Sequence, residues 1–272
     1  MAIANLSTLL DRINTYPSVY LVPSYGGGES GSLGSMNIYR DLLGFVTTSV
    51  TTAQTFTNTS DGSILKQFPI SGTSNINVCN IVGQNQDVPA LIWFIDRLTA
   101  QGGLAMNTTS VQTTNLPTAA LTRYTTGEGV YAFIETSLNL QATQVQFSIS
   151  YTNQAGTSGR TSPLQFIGGT GWLGSTIPIP LAAGDTGVRS VESLTITGTA
   201  TTANTFGIAL YKVLSCYWMQ PGATNNAINL VTGNFFGPAT LPYDACLNLM
   251  ATSTDVISTT SVNPFSMVLT QE

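Results

Sequence analysis

The chain has 272 residues, with eight basic side chains, 13 acidic ones, no histidine and a net charge of -5. Charged residues make up 8% of it, against about 25% in ordinary soluble domains. The lack of histidine excludes Ser-His-Asp and Cys-His nucleophile systems and imidazole-ligated zinc. The acidic balance argues against nucleic acid as a direct partner.

Neutral polar side chains take the place of the missing charges. Thr, Ser, Asn and Gln can be covered by another subunit without stripping water from a charge. The composition therefore predicts a protein that packs against its own copies or against a partner. No apolar run approaches the ~20 residues of a membrane span, and no membrane partner is predicted.

Cysteine usage and the start of the chain bear on the compartment. Cys79, Cys216 and Cys246 are three in number and widely spaced, and the first residues lack a positively charged signal region. Both features favour synthesis in a reducing cytoplasm. Buried free thiols are predicted, with a Cys216–Cys246 bridge as the alternative.

Residues 1–14 carry a helical period that ends at Tyr16-Pro17. A helix this short is marginal alone, so it must dock on its own domain or grip a neighbouring subunit, and both readings stay open. Residues 25–35 form a glycine loop without the features of a phosphate site. Residues 47–63, rich in Thr, are typical of an edge strand and a loop. The apolar helical face consists of Ile3, Leu6, Leu9, Leu10 and Ile13.

Short strands dominate the rest of the chain, separated by Gly- and Pro-bearing turns. This pattern predicts an all-β sandwich or jelly roll over residues 71–272, preceded by an N-terminal helix, glycine loop and Thr-rich arm over residues 1–70. A helix is the alternative for the apolar run 89–98, and Gln-Gly-Gly at 101–103 is predicted to turn the chain. Strands are predicted at 75–82, 89–98, 130–136, 144–151, 193–197, 206–214, 246–251 and 266–271.

The strand at 144–151 has the clearest alternation of apolar and polar residues. Its polar side chains are all uncharged, which makes this face a candidate interface together with the N-terminal helix. The candidate residues on the strand are Gln144, Gln146 and Ser148.

Carboxylates are the remaining route to catalysis. Glu128 with Glu135, or Asp185 with Glu192, could form a glycosidase pair. Basic residues lie near each pair in the sequence, Arg123 beside Glu128 and Arg189 beside Asp185 and Glu192, which favours structural ion pairs or charge-assisted hydrogen bonds that fix loop shape.

Tryptophans and possible metal ligands are further candidates for binding sites. Trp93 lies in an apolar run and is predicted to pack in the core. Trp172, in a glycine loop, is the better candidate for stacking on a sugar ring. Dispersed cysteines and the lack of an Asp-x-Asp-x-Asp-Gly loop predict neither a metal site nor a cofactor.

Several stretches resemble a family of tailed-bacteriophage virion proteins, the head decoration or cement proteins. They cover roughly residues 75–272 and look like a shared β scaffold with shared loops. Residues 1–70 carry no such match. The stretches are IDRLTAQGGL (95–104), LTRYTTGEGVYAFIE with VQFSISYTNQAGTSGRTSP (within 121–163), IPLAAGDTGVRSVESLTITG (179–198) and LPYDACLNLM (241–250).

The resemblance implies a non-enzymatic protein on the capsid surface of the virion. Its expected partners are the major capsid protein and its own copies, as a trimer, and bound copies would stabilise the assembled head by linkage and multivalency. A tail or fibre component that binds a host glycan is the first alternative, and a carboxylate glycosidase is the second.

Overall fold

A computed structural model describes the chain over residues 18–22, 36–38, 51–60, 63–67, 70, 72–83, 90–136, 144–168, 175–198, 204–219, 226–229, 240–253 and 265–271. It confirms the all-β sandwich, because these residues form antiparallel strands with short 3-10 turns at Ile64–Gln67 and Leu116–Thr118. The predicted N-terminal helix and glycine loop lie outside them. None of the described helical segments is long and apolar enough to cross a membrane.

The strands are β1 (Ser18–Val22), β2 (Met36–Ile38), β3 (Gln54–Thr55), β4 (Ile76–Gly83), β5 (Ala90–Ala105), β6 (Gln112–Thr113), β7 (Val130–Glu135), β8 (Val145–Asn153), β9 (Arg160–Thr161), β10 (Gln165–Ile167), β11 (Ser175–Pro178), β12 (Val188–Thr197), β13 (Thr205–Met219), β14 (Asn226–Asn229), β15 (Thr240–Leu241), β16 (Leu247–Ser253) and β17 (Phe265–Gln271).

One layer of the sandwich is the β8 sheet, with strand order β10-β8-β12-β6 and β9 also paired to β8. The alternation predicted at 144–151 is confirmed, since every second residue of β8 is buried from Val145 to Asn153. Period-two burial puts one face of the strand in the core and the other towards solvent.

The other layer is the β5 sheet, with strand order β13-β7-β11-β2-β16-β5-β3 and a further pairing between β13 and β5. That pairing joins six of the strands into a closed circuit, with β3 attached outside it at β5. One face of β5, β7 and β13 packs on the β8 sheet, and the other face lines the inside of the circuit.

Two apolar clusters follow from this arrangement. The larger fills the space between the two sheets and includes Phe147 and Tyr151 of β8 and Leu210 of β13. The smaller lies on the opposite face of the β5 sheet and includes Phe133 of β7 and Tyr211 of β13. Trp93 packs against the smaller cluster and is half-buried, as its place in an apolar run predicts.

A third sheet, the β4 sheet, has the order β1-β17-β4-β14 with β15 also on β4. Strands from residues 1–70 are hydrogen-bonded to later strands throughout: β1 to β17, β2 to β11 and β16, and β3 to β5. The first 70 residues thus contribute strands to two sheets. The proposed boundary at residue 70 stays a prediction.

The strand prediction for 89–98 is confirmed over its helical alternative, but the predicted turn at 101–103 is wrong. β5 runs on to Ala105 and stays paired with β13. The register shifts between the Phe206 and Ile208 pairs, and Gly103 has φ 77°. The two glycines form a bulge within a long strand, since glycine adopts positive φ without steric cost.

Cys216 and Cys246 are free thiols, which rules out the bridge considered as the alternative. Cys246 is fully buried, and burial raises the pKa of its thiol to about 11. The side chain of Cys79 lies outside the described part of the structure.

Candidate functional site

The outer face of the β8 sheet carries neutral side chains on two adjacent strands. Ser148 of β8 is opposite Thr195 of β12, and Gln146 is opposite Thr197. Gln144, just before β8, is exposed. We define the neutral face as Gln146, Ser148, Ser150, Ser193, Thr195 and Thr197.

Apolar side chains flank the neutral face at both edges of the sheet. Phe166 of β10 is 58% exposed and lies opposite Gln146, and Leu164 beside it is 51% exposed. Val111, next to β6 at the other edge, is 63% exposed. These three are among four large hydrophobic residues that are exposed in the described structure, so exposed apolar surface concentrates on this sheet.

One end of the neutral face carries a charge that the strand pattern of β8 did not reveal. Glu192 of β12 accepts hydrogen bonds from Thr152 (2.7 Å) and Ser190 (2.6 Å). Both donors are hydroxyl groups and both bind Oε1, while Oε2 is buried with no hydrogen-bond partner among the described residues.

Asp185 is the centre of a hydrogen-bonded network where the loops meet β8. Its carboxylate accepts hydrogen bonds from Arg160 Nε (2.8 Å), Asn153 Nδ2 (2.7 Å) and the Tyr151 hydroxyl. The bond from Arg160, followed by that from Tyr151, lowers the pKa of Asp185 to about 2. Arg189, the predicted partner, does not bind Asp185.

Arg189 and Glu128 join the loops through neutral partners. Arg189 Nη2 donates to the Gln154 carbonyl (2.7 Å) and its Nε to the Thr126 carbonyl (3.2 Å). Glu128 accepts a hydrogen bond from Thr186 Oγ1 at 2.8 Å. These charge-assisted hydrogen bonds link the 123–129, 153–160 and 180–189 segments.

Backbone packing makes this loop junction tight. A Cβ on Gly187 would lie 1.9 Å from the Gly127 carbonyl oxygen. Gly187 is also bridged to Glu128. Only glycine lets the two chain segments approach this closely.

The predicted pairing of Arg123 with Glu128 is also wrong. Arg123 forms a bidentate ion pair with Asp96, with Nη2–Oδ1 2.7 Å and Nε–Oδ2 2.9 Å, and a longer contact to Asp244 at 3.5 Å. Its Nη2 also donates to the carbonyl of Phe56 at 3.0 Å. Both members of the main pair are buried.

A second buried pair lies inside the strand circuit. Arg97 Nη2 and Glu135 Oε2 are 2.6 Å apart, and each side chain is 3% exposed. The Tyr211 hydroxyl donates to the other oxygen of Glu135. Arg97 also stacks on the Phe56 ring, 4.1 Å from its centroid. The sequence analysis does not predict this site. Asp96 and Arg97 lie within the apolar run 89–98, and charged residues in such a run are almost never buried unless they are paired. Their position could therefore have indicated buried ion pairs.

Neither carboxylate pair has the geometry of a glycosidase. Such carboxyl groups lie about 5–9.5 Å apart, but residues 130 and 135 of β7 alone span roughly 17 Å, which keeps Glu128 far from Glu135. Asp185 binds the inward-facing Tyr151, while Glu192 binds the outward-facing Thr152. These two carboxylates therefore lie on opposite sides of β8.

Several predicted site residues lie outside the described residues. They are the helical positions Leu6, Leu9, Leu10 and Ile13, and the glycan candidate Trp172.

Comparison of the chain with protein-family models, curated proteins and solved structures finds no match.

Proposed function

We propose that the chain is a non-enzymatic structural protein of a tailed-phage particle, a decoration protein that binds the assembled head and stabilises it. The observation that carries the proposal is the neutral face of the β8 sheet, flanked by the exposed Leu164, Phe166 and Val111. The stretches that resemble decoration proteins, including the whole of β8 and the loop after it, give the proposal its direction.

The contact surface of the β8 sheet lies mainly on β8 and β12, which have nine and ten residues. With β10 and β6, which have three and two residues, the four strands offer a face of roughly 400 Å² at about 3.3 Å per residue and 4.8 Å between strands. Specific interfaces bury about 600–1,000 Å² on each partner, so the exposed Leu164, Phe166 and Val111 at the edges would belong to the contact as well. Covering the neutral face requires no desolvation of charge except at Glu192, and its hydroxyl and amide groups both donate and accept hydrogen bonds.

In this mechanism many copies bind the head lattice, as trimers, where capsid subunits meet. A ligand that binds only the assembled state stabilises that state by mass action, and repeated weak contacts on one lattice add by multivalency. Asp185, Arg123 and Glu135 are bound to groups within the domain, so their charges stabilise the fold. This suits a scaffold whose contacts with other proteins are neutral.

The test is to strip heads of the protein, add back purified protein, and follow DNA release on heating. We expect the wild-type protein to raise the release temperature at low salt and at ~0.5 M salt alike, because few charges at the interface can be screened. Ser148→Glu should lose this protection. Ser158→Glu, on an exposed loop tip, is the matched control and should keep it.

Two outcomes would contradict the proposal. Protection that disappears in high salt would mean that ion pairs dominate the contact. No protection at either salt concentration would remove the cement role and move the protein to the tail or to host binding.

A further inference from the structure

A cavity of about 300 Å³ opens beside the strand β13, between that strand and the segment that contains β15. This volume is at the lower end of small-ligand sites in proteins. The cavity is lined by four apolar residues and three polar ones. The apolar residues are Val213, Leu214, Leu241 and Pro242, and the polar ones are Asn75, Tyr124 and Lys212.

Lys212 brings a cation to this cavity, and no carboxylate of the described residues is paired with it. Its Nζ donates to the Glu128 carbonyl at 2.8 Å and lies 5.4 Å from the centroid of the Tyr124 ring. Among the described ion pairs none involves Lys212, whereas Arg97, Arg123 and Arg160 each face a carboxylate. An ammonium group has three donors, so two remain for a ligand.

Gly129 leaves room for this ammonium beside the chain. It has φ 64°, and a Cβ there would come within 2.5 Å of Lys212 Nζ. Tyr124 has φ 50°, the one positive value at a non-glycine residue in the described structure. Such a conformation is uncommon outside glycine and persists where neighbouring contacts fix it. With it, the ring of Tyr124 lies beside Lys212.

We propose that this cavity binds a small organic acid, a single carboxylate attached to an apolar body about the size of a benzyl group. A carboxylate would take the two remaining N–H donors of Lys212 in a charge-assisted pair. The apolar body would lie against Leu214 and Pro242, which are half-buried apolar residues of the lining, with Val213 and the buried Leu241 behind them. Inorganic phosphate gains nothing from these walls, and a neutral apolar molecule leaves the ammonium without its partner.

The probes are phenylacetate, its neutral analogue phenylacetamide, and inorganic phosphate. Each is titrated into the full chain while the methyl resonances of Val213, Leu214 and Leu241 are followed by NMR. We expect saturable shifts with phenylacetate, a Kd at least tenfold weaker for phenylacetamide, and no shifts of these methyls with phosphate. Equal binding of the acid and the amide, a response to phosphate, or no saturation by about 50 mM overturns the proposal.

A variant pair tests the role of the ammonium. Lys212→Gln should weaken phenylacetate binding at least tenfold, while Lys66→Gln, an exposed lysine on the Ile64–Gln67 turn, should leave it unchanged. Unchanged binding in Lys212→Gln overturns the proposal. If Lys212→Gln does not fold, as judged by its methyl dispersion, the comparison of acid with amide in the wild-type chain decides the question alone.

Discussion

The inside of the strand circuit and the neutral face of the β8 sheet differ in where charged and neutral polar side chains lie. The circuit buries an ion pair, Arg97 with Glu135, among aromatic and aliphatic side chains. The neutral face presents Ser, Thr and Gln side chains, of which Thr197 is exposed and the others half-buried, and apart from Glu192 at one end it carries no charge. A chain with few charges thus uses them to specify its interior and leaves the surface of this sheet free to be covered.

The largest expected effect comes from breaking the buried pair. Glu135→Gln leaves the Arg97 guanidinium buried without its counter-charge, and we expect it to lower the free energy of unfolding by about 3–5 kcal/mol. Denaturant unfolding measures this. The apolar triple variant R97M/E135L/Y211F removes the whole network and should recover most of the loss. A loss below ~1 kcal/mol in Glu135→Gln would mean that the pair is not a rigid part of the interior.

The loop junction is next in size, because it depends on backbone approach. Gly187→Ala places a Cβ against the Gly127 carbonyl, and overpacking of this kind costs about 1–3 kcal/mol or more. Gly184→Ala is the matched control. Its Cβ would have no neighbour within 4 Å, so it carries only the strain of φ 87°. Equal losses in the two variants would show that the junction can separate freely.

A smaller effect, dependent on pH, is expected at Asp185. Its pKa of about 2 in the folded chain lies below the ordinary 3.8, so its stabilising contribution is complete above about pH 4 and is lost as the pH falls through 2. Asp185→Asn should therefore lower the thermal midpoint at pH 7, with a difference from wild type that shrinks between pH 4 and 2. Glu128→Gln, which has a single hydroxyl donor, should change the midpoint less. If the difference in thermal midpoint stayed constant across this pH range, the loss of stability would come from altered packing rather than from the lost charge.

The smallest effect on stability is expected on the neutral face. Ser148→Glu should change the free energy of unfolding of the dissociated chain by less than about 0.5 kcal/mol, as substitutions away from packed features do. Light scattering on the same sample should show loss of self-association if this face joins copies of the chain. A large loss of stability would mean that the face is already part of the folded core.

Sequence reasoning succeeded where the signal was local. The alternation from Val145 to Tyr151 predicted the buried face of β8, and the apolar run before Asp96 predicted β5. It failed where partners come from distant segments. The spacing predicts Arg123 beside Glu128, five residues away, but Arg123 binds Asp96 of β5, and Asp185 binds Arg160 of β9 rather than Arg189. Ion pairs between a loop and a distant strand follow from topology, which a single sequence does not reveal.

The pairing of β5 with β13 also sets the timing of folding. Residues opposite each other in these strands are separated by 100 to 129 positions, from Ala105 with Thr205 to Ala90 with Met219. At a synthesis rate of about 5–20 residues per second, β5 is made roughly 5–25 s before its partner exists. During that interval the apolar strand has an unpaired edge. The closed circuit can form only after most of the chain is made, because β13 and β16 both pair with β5 and both follow it by a hundred residues or more, and until then the edges of β5 can pair with other strands.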